Sequence, residues 1–143
     1  MRRSSARTVL FSEAVASRVG IHPTDLETLE ILARDGPLTA GRLAALTGLT
    51  SAATTSLIDR LERSGFARRA RDPLDRRKVV VELDRERAER AILPLYEGLT
   101  SAFARIADRL TDEQLALIRD FLAASSESLA EETRRLRGGD QPR

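Results

Sequence analysis

Residues 38–83 read LTAGRLAALTGLTSAATTSLIDRLERSGFARRARDPLDRRKVVVEL, and this stretch decides the fold. Thr39 stands where a helix needs a capping hydroxyl, and Leu43 and Leu46 follow on one face of a short helix. Gly48 makes a turn and Thr50 caps a second helix. On that helix Thr54, Leu57, Ile58 and Leu61 recur at spacings of three and four, which marks a buried side. Gly65 is the left-handed stop after Ser64. Two alternating segments, near Phe66–Arg71 and Lys78–Leu83, then flank Asp72-Pro73-Leu74-Asp75, the pattern of a β-hairpin. Two helices joined by a tight turn and followed by a basic hairpin form a winged helix-turn-helix in sequence order.

Upstream, Val9, Leu10, Ala14, Val15 and Val19 predict an amphipathic helix over residues 5–19, ended by Gly20. Thr24 and Glu27 have capping-box spacing ahead of Leu26, Leu29 and Leu32, so a second helix is expected from Thr24 to about Asp35, where Asp35-Gly36-Pro37 breaks it. Downstream, Ala88, Ile92, Leu95, Leu99, Phe103, Ile106 and Leu110 form one long stripe. Pro94 is expected to kink that helix by removing a backbone hydrogen bond. Thr111-Asp112-Glu113-Gln114 is another capping box. Leu115, Ile118, Leu122, Leu129 and Leu136 then mark a last long helix. The fold class expected is mainly α with a small β-hairpin, a single domain over 1–143. Within it 21–83 is the DNA-binding region, 5–20 and 84–136 are dimerisation helices, and 137–143 is a disordered tail. The dimer is expected because two long C-terminal helices carry more apolar stripe than one small unit covers.

Composition narrows the functional classes. Aromatic residues make up 3% of the 143, so leucine, isoleucine, valine and alanine must build the core, which favours helices. With no cysteine, disulfides and thiol redox sensing are excluded. With one histidine as well, no metal ligand set is evident and no cofactor is expected. No nucleophile motif or phosphate-binding glycine loop is present, so an enzyme is not expected. The basic MRRSSAR start is followed by no apolar run of signal length, and no segment approaches membrane-spanning length, so a cytoplasmic protein is expected. Net charge is only +2, yet residues 66–78 hold six bases against two acids. A nearly neutral chain with one concentrated basic element calls for a localised anionic partner, double-stranded DNA.

The face of the second short helix opposite Leu57 and Leu61 presents Ser51, Ala52, Thr55 and Ser56. Their hydroxyls suit phosphate or base edges, and the alanine methyl suits a thymine methyl. Thr39, at the head of the preceding helix, joins them as a candidate DNA contact. Arg60 has two readings, a DNA contact or a structural ion pair to Asp75 or Glu62. Arg68, Arg71, Arg76 and Arg77 supply the basic hairpin. Strand alternation prevents Arg68, Arg69 and Arg71 from all facing a duplex, and Arg69 is assigned to the side away from the other two. Arg77 is the strongest candidate, because a flat, weakly hydrated guanidinium suits a narrow, electronegative minor groove. Asp75 is expected to steer it.

GPLTAGRLAALTGLT, the Asp59-Arg60 pair in SLIDRLERSGF, and RDPLDRRKVVVEL resemble the MarR family of bacterial transcriptional regulators over about residues 20–84. The resemblance implies a homodimer on pseudo-palindromic operator DNA, usually a repressor, released by a small aromatic or anionic effector. It places the family's wing arginine at Arg77, its supporting acid at Asp75 and its recognition-helix arginine at Arg60. It also makes His22 and Tyr96 candidate ligand residues, near the junction of the second helix with the long fifth one. The alternative for these two is a packed histidine and a rim tyrosine. The chain departs from the family at Ser56 and Ala52, and it lacks the cysteine of peroxide-sensing members. A regulator without an effector, and a winged-helix protein adaptor, are the remaining functional alternatives.

Overall fold

A computed structural model describes residues 2–72 and 74–138, with side chains over 5–72 and 74–136. It falls into two compact units, residues 1–97 and 98–143. The first contains α1 (Arg2–Val19), α2 (Pro23–Asp35), β1 (Leu38–Thr39), α3 (Ala40–Thr47), α4 (Ser51–Arg63), β2 (Ala67–Arg71), β3 (Val79–Leu83) and α5 (Arg85–Ala91). Helix α6 (Leu93–Ala107) begins in the first unit and ends in the second, which also holds α7 (Asp112–Gly138).

Local signals place the helix-turn-helix. The hydroxyls of Thr39 and Thr50 accept from the backbone N–H of Arg42 and Ala53, each at 3.2 Å, so both expected caps form. Gly48 turns the chain at φ 71° between α3 and α4, a left-handed conformation in which a side chain would be strained. The buried face of α4 is Thr54, Leu57, Ile58 and Leu61, as its periodicity predicts. Of these, Leu57, Ile58 and Leu61 join Leu26, Leu29 and Leu32 of α2, Val15 and Ala16 of α1, Phe66 just before the sheet and Val81 within it in one core.

Three features differ from the sequence expectation. First, the cap of α2 lies two residues earlier than Thr24. His22 is its N-cap, with Nδ1 accepting from the Thr24 N–H at 3.3 Å, and Thr24 lies inside the first turn. Pro23 at the first helical position has a preset φ and lacks only an N–H that would be orphaned there, so it fixes the start. Second, the hairpin gains a third strand. The sheet order is β1-β3-β2, with Leu38 opposite Val81 and Thr39 opposite Val80. Two residues are too few to show alternation in a sequence.

Third, the expected kinked helix is two helices. Ile92 sits between α5 and α6 at φ −105°, and Pro94 takes the second position of α6, where its missing N–H costs nothing. The Thr111–Gln114 capping box forms in both directions, Gln114 N–H to Thr111 Oγ1 at 3.3 Å and Thr111 N–H to Gln114 Oε1 at 2.9 Å. Helix α7 runs to Gly138, so residues 137 and 138 are helical rather than part of a disordered tail, and 139–143 lie outside the described residues.

Among the described residues one buried side-chain group is unsatisfied. The Thr54 hydroxyl is buried and has no hydrogen-bond partner. Thr54→Val keeps the shape and removes the desolvation penalty, so it is expected to raise unfolding free energy by about 1 kcal/mol, measured by urea denaturation.

Candidate nucleic-acid interface

The outward face of α4 is Ser51, Ala52, Thr55, Ser56 and Asp59, all exposed. The Thr55 hydroxyl donates to the Ser51 carbonyl at 3.0 Å, which leaves its oxygen as an acceptor. The Thr39 oxygen accepts at the α3 cap, which leaves that hydroxyl free to donate. Apart from Asp59 the face is small, hydroxyl-bearing and uncharged, so it can approach the base edges of a groove closely.

Arg60 takes the structural role, with a partner absent from the sequence reading. It grips neither Asp75 nor Glu62. Its Nε and Nη2 donate to the two carboxylate oxygens of Asp25 at 3.0 and 2.5 Å. The Asp25 side chain is 3% exposed and that of Arg60 is 40% exposed. The bond to Asp25, more than the Coulomb attraction, raises the Arg60 pKa above its ordinary value. The fork ties the first turn of α2 to the last turns of α4 and so fixes how the outward face is presented. Asp25 was the functional residue hidden from sequence reading, since nothing local links positions 35 apart.

The wing arginines divide into held and free. In the β2–β3 register Arg68 lies opposite Glu82, Arg69 opposite Val81 and Arg71 opposite Val79. Arg69 and Arg71 therefore share one side and Arg68 has the other, which corrects the expectation that Arg69 stands alone. Arg68 pairs with Glu82. Arg69 is clamped by two carboxylates of α4, donating to Asp59 at 2.8 Å and also to Glu62, and both contacts raise its pKa. Arg69 thus fastens the wing to α4. Among the described residues the guanidiniums of Arg71, Arg76 and Arg77 form no hydrogen bond or ion pair, and all three are exposed. Asp75 does not touch the Arg77 guanidinium. Its Oδ1 accepts the Arg77 backbone N–H at 3.1 Å and its other oxygen lies 3.6 Å from Lys78 Nζ. Asp72 Oδ1 accepts from the Leu74 N–H at 2.8 Å, so two aspartates shape the turn that displays the free arginines.

His22 and Tyr96 do not share a cavity. His22 borders a separate cleft with Thr24, Ser56 and Arg60, beside the outward face of α4. Tyr96 lines a cavity of about 320 Å3 between α2 and α5. Leu26, Leu29, Leu83, Ala88 and Ile92 supply its apolar wall, and Glu30, Arg85 and Glu89 its charges. The Tyr96 hydroxyl donates to Glu30 Oε1 at 3.3 Å, and its ring meets the Phe11 ring edge-on at 5.3 Å. Burial first, then the Glu30 charge, raises the Tyr96 pKa above 10. Tyr96 is the only tyrosine, so phenolate absorbance follows this one group. Titration is expected above pH 10 in the folded protein and a return to about 10 in urea. The raised value makes its contribution to stability full below the unfolded pKa and lost as pH rises through the folded one.

Among the described residues no group of three His, Cys, Asp or Glu side chains could hold a metal ion, and no helix is long and apolar enough to cross a membrane. A MarR-family sequence profile matches residues 19–78. The HTH-type transcriptional regulator YcgE of Bacillus subtilis is 38% identical over 136 residues, covering 95% of this chain and 88% of that protein. The chain belongs to the MarR family. Its architecture agrees with that of a MarR family protein from Bacillus stearothermophilus, at TM-score 0.69 and 26% identity, over 90% of this chain and 89% of the other. It also agrees in fold with MepR from S. aureus, at TM-score 0.75 and 18% identity, over 90% and 93% of the two chains. This MarR-family chain is therefore a transcriptional regulator with a DNA-binding fold, mainly helical with a small antiparallel sheet.

Proposed function

We propose that the protein is a cytoplasmic repressor that binds a pseudo-palindromic operator as a homodimer and leaves it when a small molecule enters the α2–α5 cavity. The observation carrying the DNA-binding reading is the pairing of two surfaces. A hydroxyl-bearing face of α4, uncharged apart from Asp59, stands beside a wing whose Arg71, Arg76 and Arg77 have no partner among the described residues. In this reading Ser51, Ala52, Thr55 and Ser56 enter the major groove, Arg77 the minor groove, and Thr39, Arg71 and Arg76 the phosphates. Arg68 adds a contact when it releases Glu82, since an exposed ion pair is worth at most about 1 kcal/mol.

The dimer reading rests on the helices of residues 5–20 and 84–136. Among the described residues from 98 onward none is buried, while Phe103, Ile106, Leu117, Phe121, Leu122 and Leu129 are each more than half exposed. A second copy would cover them and set two α4 helices roughly 34–36 Å apart, one turn of DNA. Replacing Leu122 and Leu129 by Glu is expected to give monomeric or unfolded protein by light scattering. A duplex selected by the wild type from a random pool is expected to show inverted half-sites 10–10.5 bp apart, or a multiple. A folded wild-type monomer at micromolar concentration, or selected sites without symmetry, would refute the proposal.

Release has a mechanical basis in α2. Leu26 and Leu29 wall the cavity, and Asp25 on the same helix holds Arg60 of α4. A ligand that shifts α2 therefore moves the helix that faces DNA.

A further inference from the structure

We propose that the α2–α5 cavity takes an apolar, aromatic-sized molecule carrying an ammonium or other protonated nitrogen, rather than a carboxylate or phenolate. The inference rests on the reading of this cavity as the effector site and supplies the chemistry of its ligand. The volume of about 320 Å3 and the leucine, isoleucine and alanine walls fit one or two fused rings. The polar groups around them are two carboxylates, Glu30 and Glu89, against one guanidinium, Arg85.

Their arrangement adds to that imbalance. Glu30 is held at the cavity by the Tyr96 hydroxyl, whose oxygen, having donated its proton to the carboxylate, faces a ligand only as an acceptor. The Tyr96 ring is itself part of the lining and is fixed edge-on by Phe11. An aromatic ring beside two carboxylates supplies the groups that attract a cation. An anion in the same place would meet both carboxylates. Its one attraction is Arg85, a single charge against two, and all three are exposed. Glu89 has no ion pair among the described residues, so its charge is not already spent.

The test uses a size-matched trio on the full chain: 1-naphthylmethylammonium, 1-naphthoate and the neutral 1-naphthylmethanol. Binding to free protein is measured by calorimetry and thermal shift, so it is judged independently of any DNA effect. The amine is expected to bind about tenfold tighter than the naphthoate, with the alcohol between them. Glu30→Gln with Glu89→Gln is expected to abolish that preference while leaving the alcohol unchanged, and Arg85→Ala is expected to leave the amine unchanged. These are exposed side chains, and the melting temperature without ligand reports whether each variant folds. Naphthoate binding as tightly as the amine, loss of its binding in Arg85→Ala, or no binding by any of the three would overturn the inference. Amine binding without release of a selected duplex would uphold the ligand class and refute the effector reading. A wild type that selects no duplex would refute DNA binding and leave the ligand result to stand on its own.

Discussion

Arg60→Ala is expected to cost about 2–4 kcal/mol of unfolding free energy, more than Asp25→Asn, which should cost roughly 1. Either substitution disrupts the same fork of two hydrogen bonds, and the asymmetry comes from what is left behind. Without Arg60 the Asp25 carboxylate stays buried, 3% exposed, with no countercharge. With Asn at position 25 the guanidinium keeps one acceptor, and being 40% exposed it can rotate the rest of its fork into water. That same exposure puts the Arg60→Ala loss at the lower side of what fully enclosed pairs show. Urea denaturation of both single variants and the double variant checks the order. The double should recover part of the Arg60→Ala loss, because an amide is cheaper to bury than a carboxylate. A larger loss in Asp25→Asn would mean that the arginine, not the aspartate, is the trapped charge.

The ion pair also shows where sequence reading stops. Caps, turns and buried stripes of the helix-turn-helix were legible because each depends on residues within four positions: Thr39 on Arg42, Thr50 on Ala53, Gly48 on its own φ. Wing strands were legible from their alternation, and the parity that puts Arg69 beside Arg71 was available there too, although the expectation inverted it. Contacts that decide which arginine is free were not legible. Arg69 is neutralised by Asp59 and Glu62, ten and seven positions away and on another element. Arg60 is neutralised from 35 positions away. Periodicity says which face a residue occupies, and only packing says what lies across from it. The cavity follows the same rule. Tyr96 was singled out and does line it, but Glu30, Arg85 and Glu89 came together only through the crossing of α2 and α5.

For the wing, Arg77→Ala is expected to weaken binding to a selected duplex more than any other single wing substitution. It should lower the slope of log affinity against log salt by about one unit. Arg69→Ala should act mainly on stability, since its charge is already spent on α4. Asp75 gives the sharper result, because its two candidate roles separate by chemistry. As a bare negative charge beside phosphate, Asp75 opposes binding, and both Asp75→Ala and Asp75→Asn would tighten it. As the acceptor that holds the Arg77 N–H at 3.1 Å, it shapes the turn that presents Arg76 and Arg77. Asparagine retains that oxygen and alanine does not. Asp75→Asn is therefore expected to bind as well as the wild type or tighter, and Asp75→Ala to bind about five- to tenfold more weakly, the worth of roughly one ordered hydrogen bond. Titrating the two variants against one duplex at two salt concentrations decides it. Tighter binding by both would refute the turn-shaping role, because only the lost charge would then matter. Equal weakening by both would place the effect in the carboxylate charge itself, acting on Lys78 at 3.6 Å rather than on the backbone of Arg77.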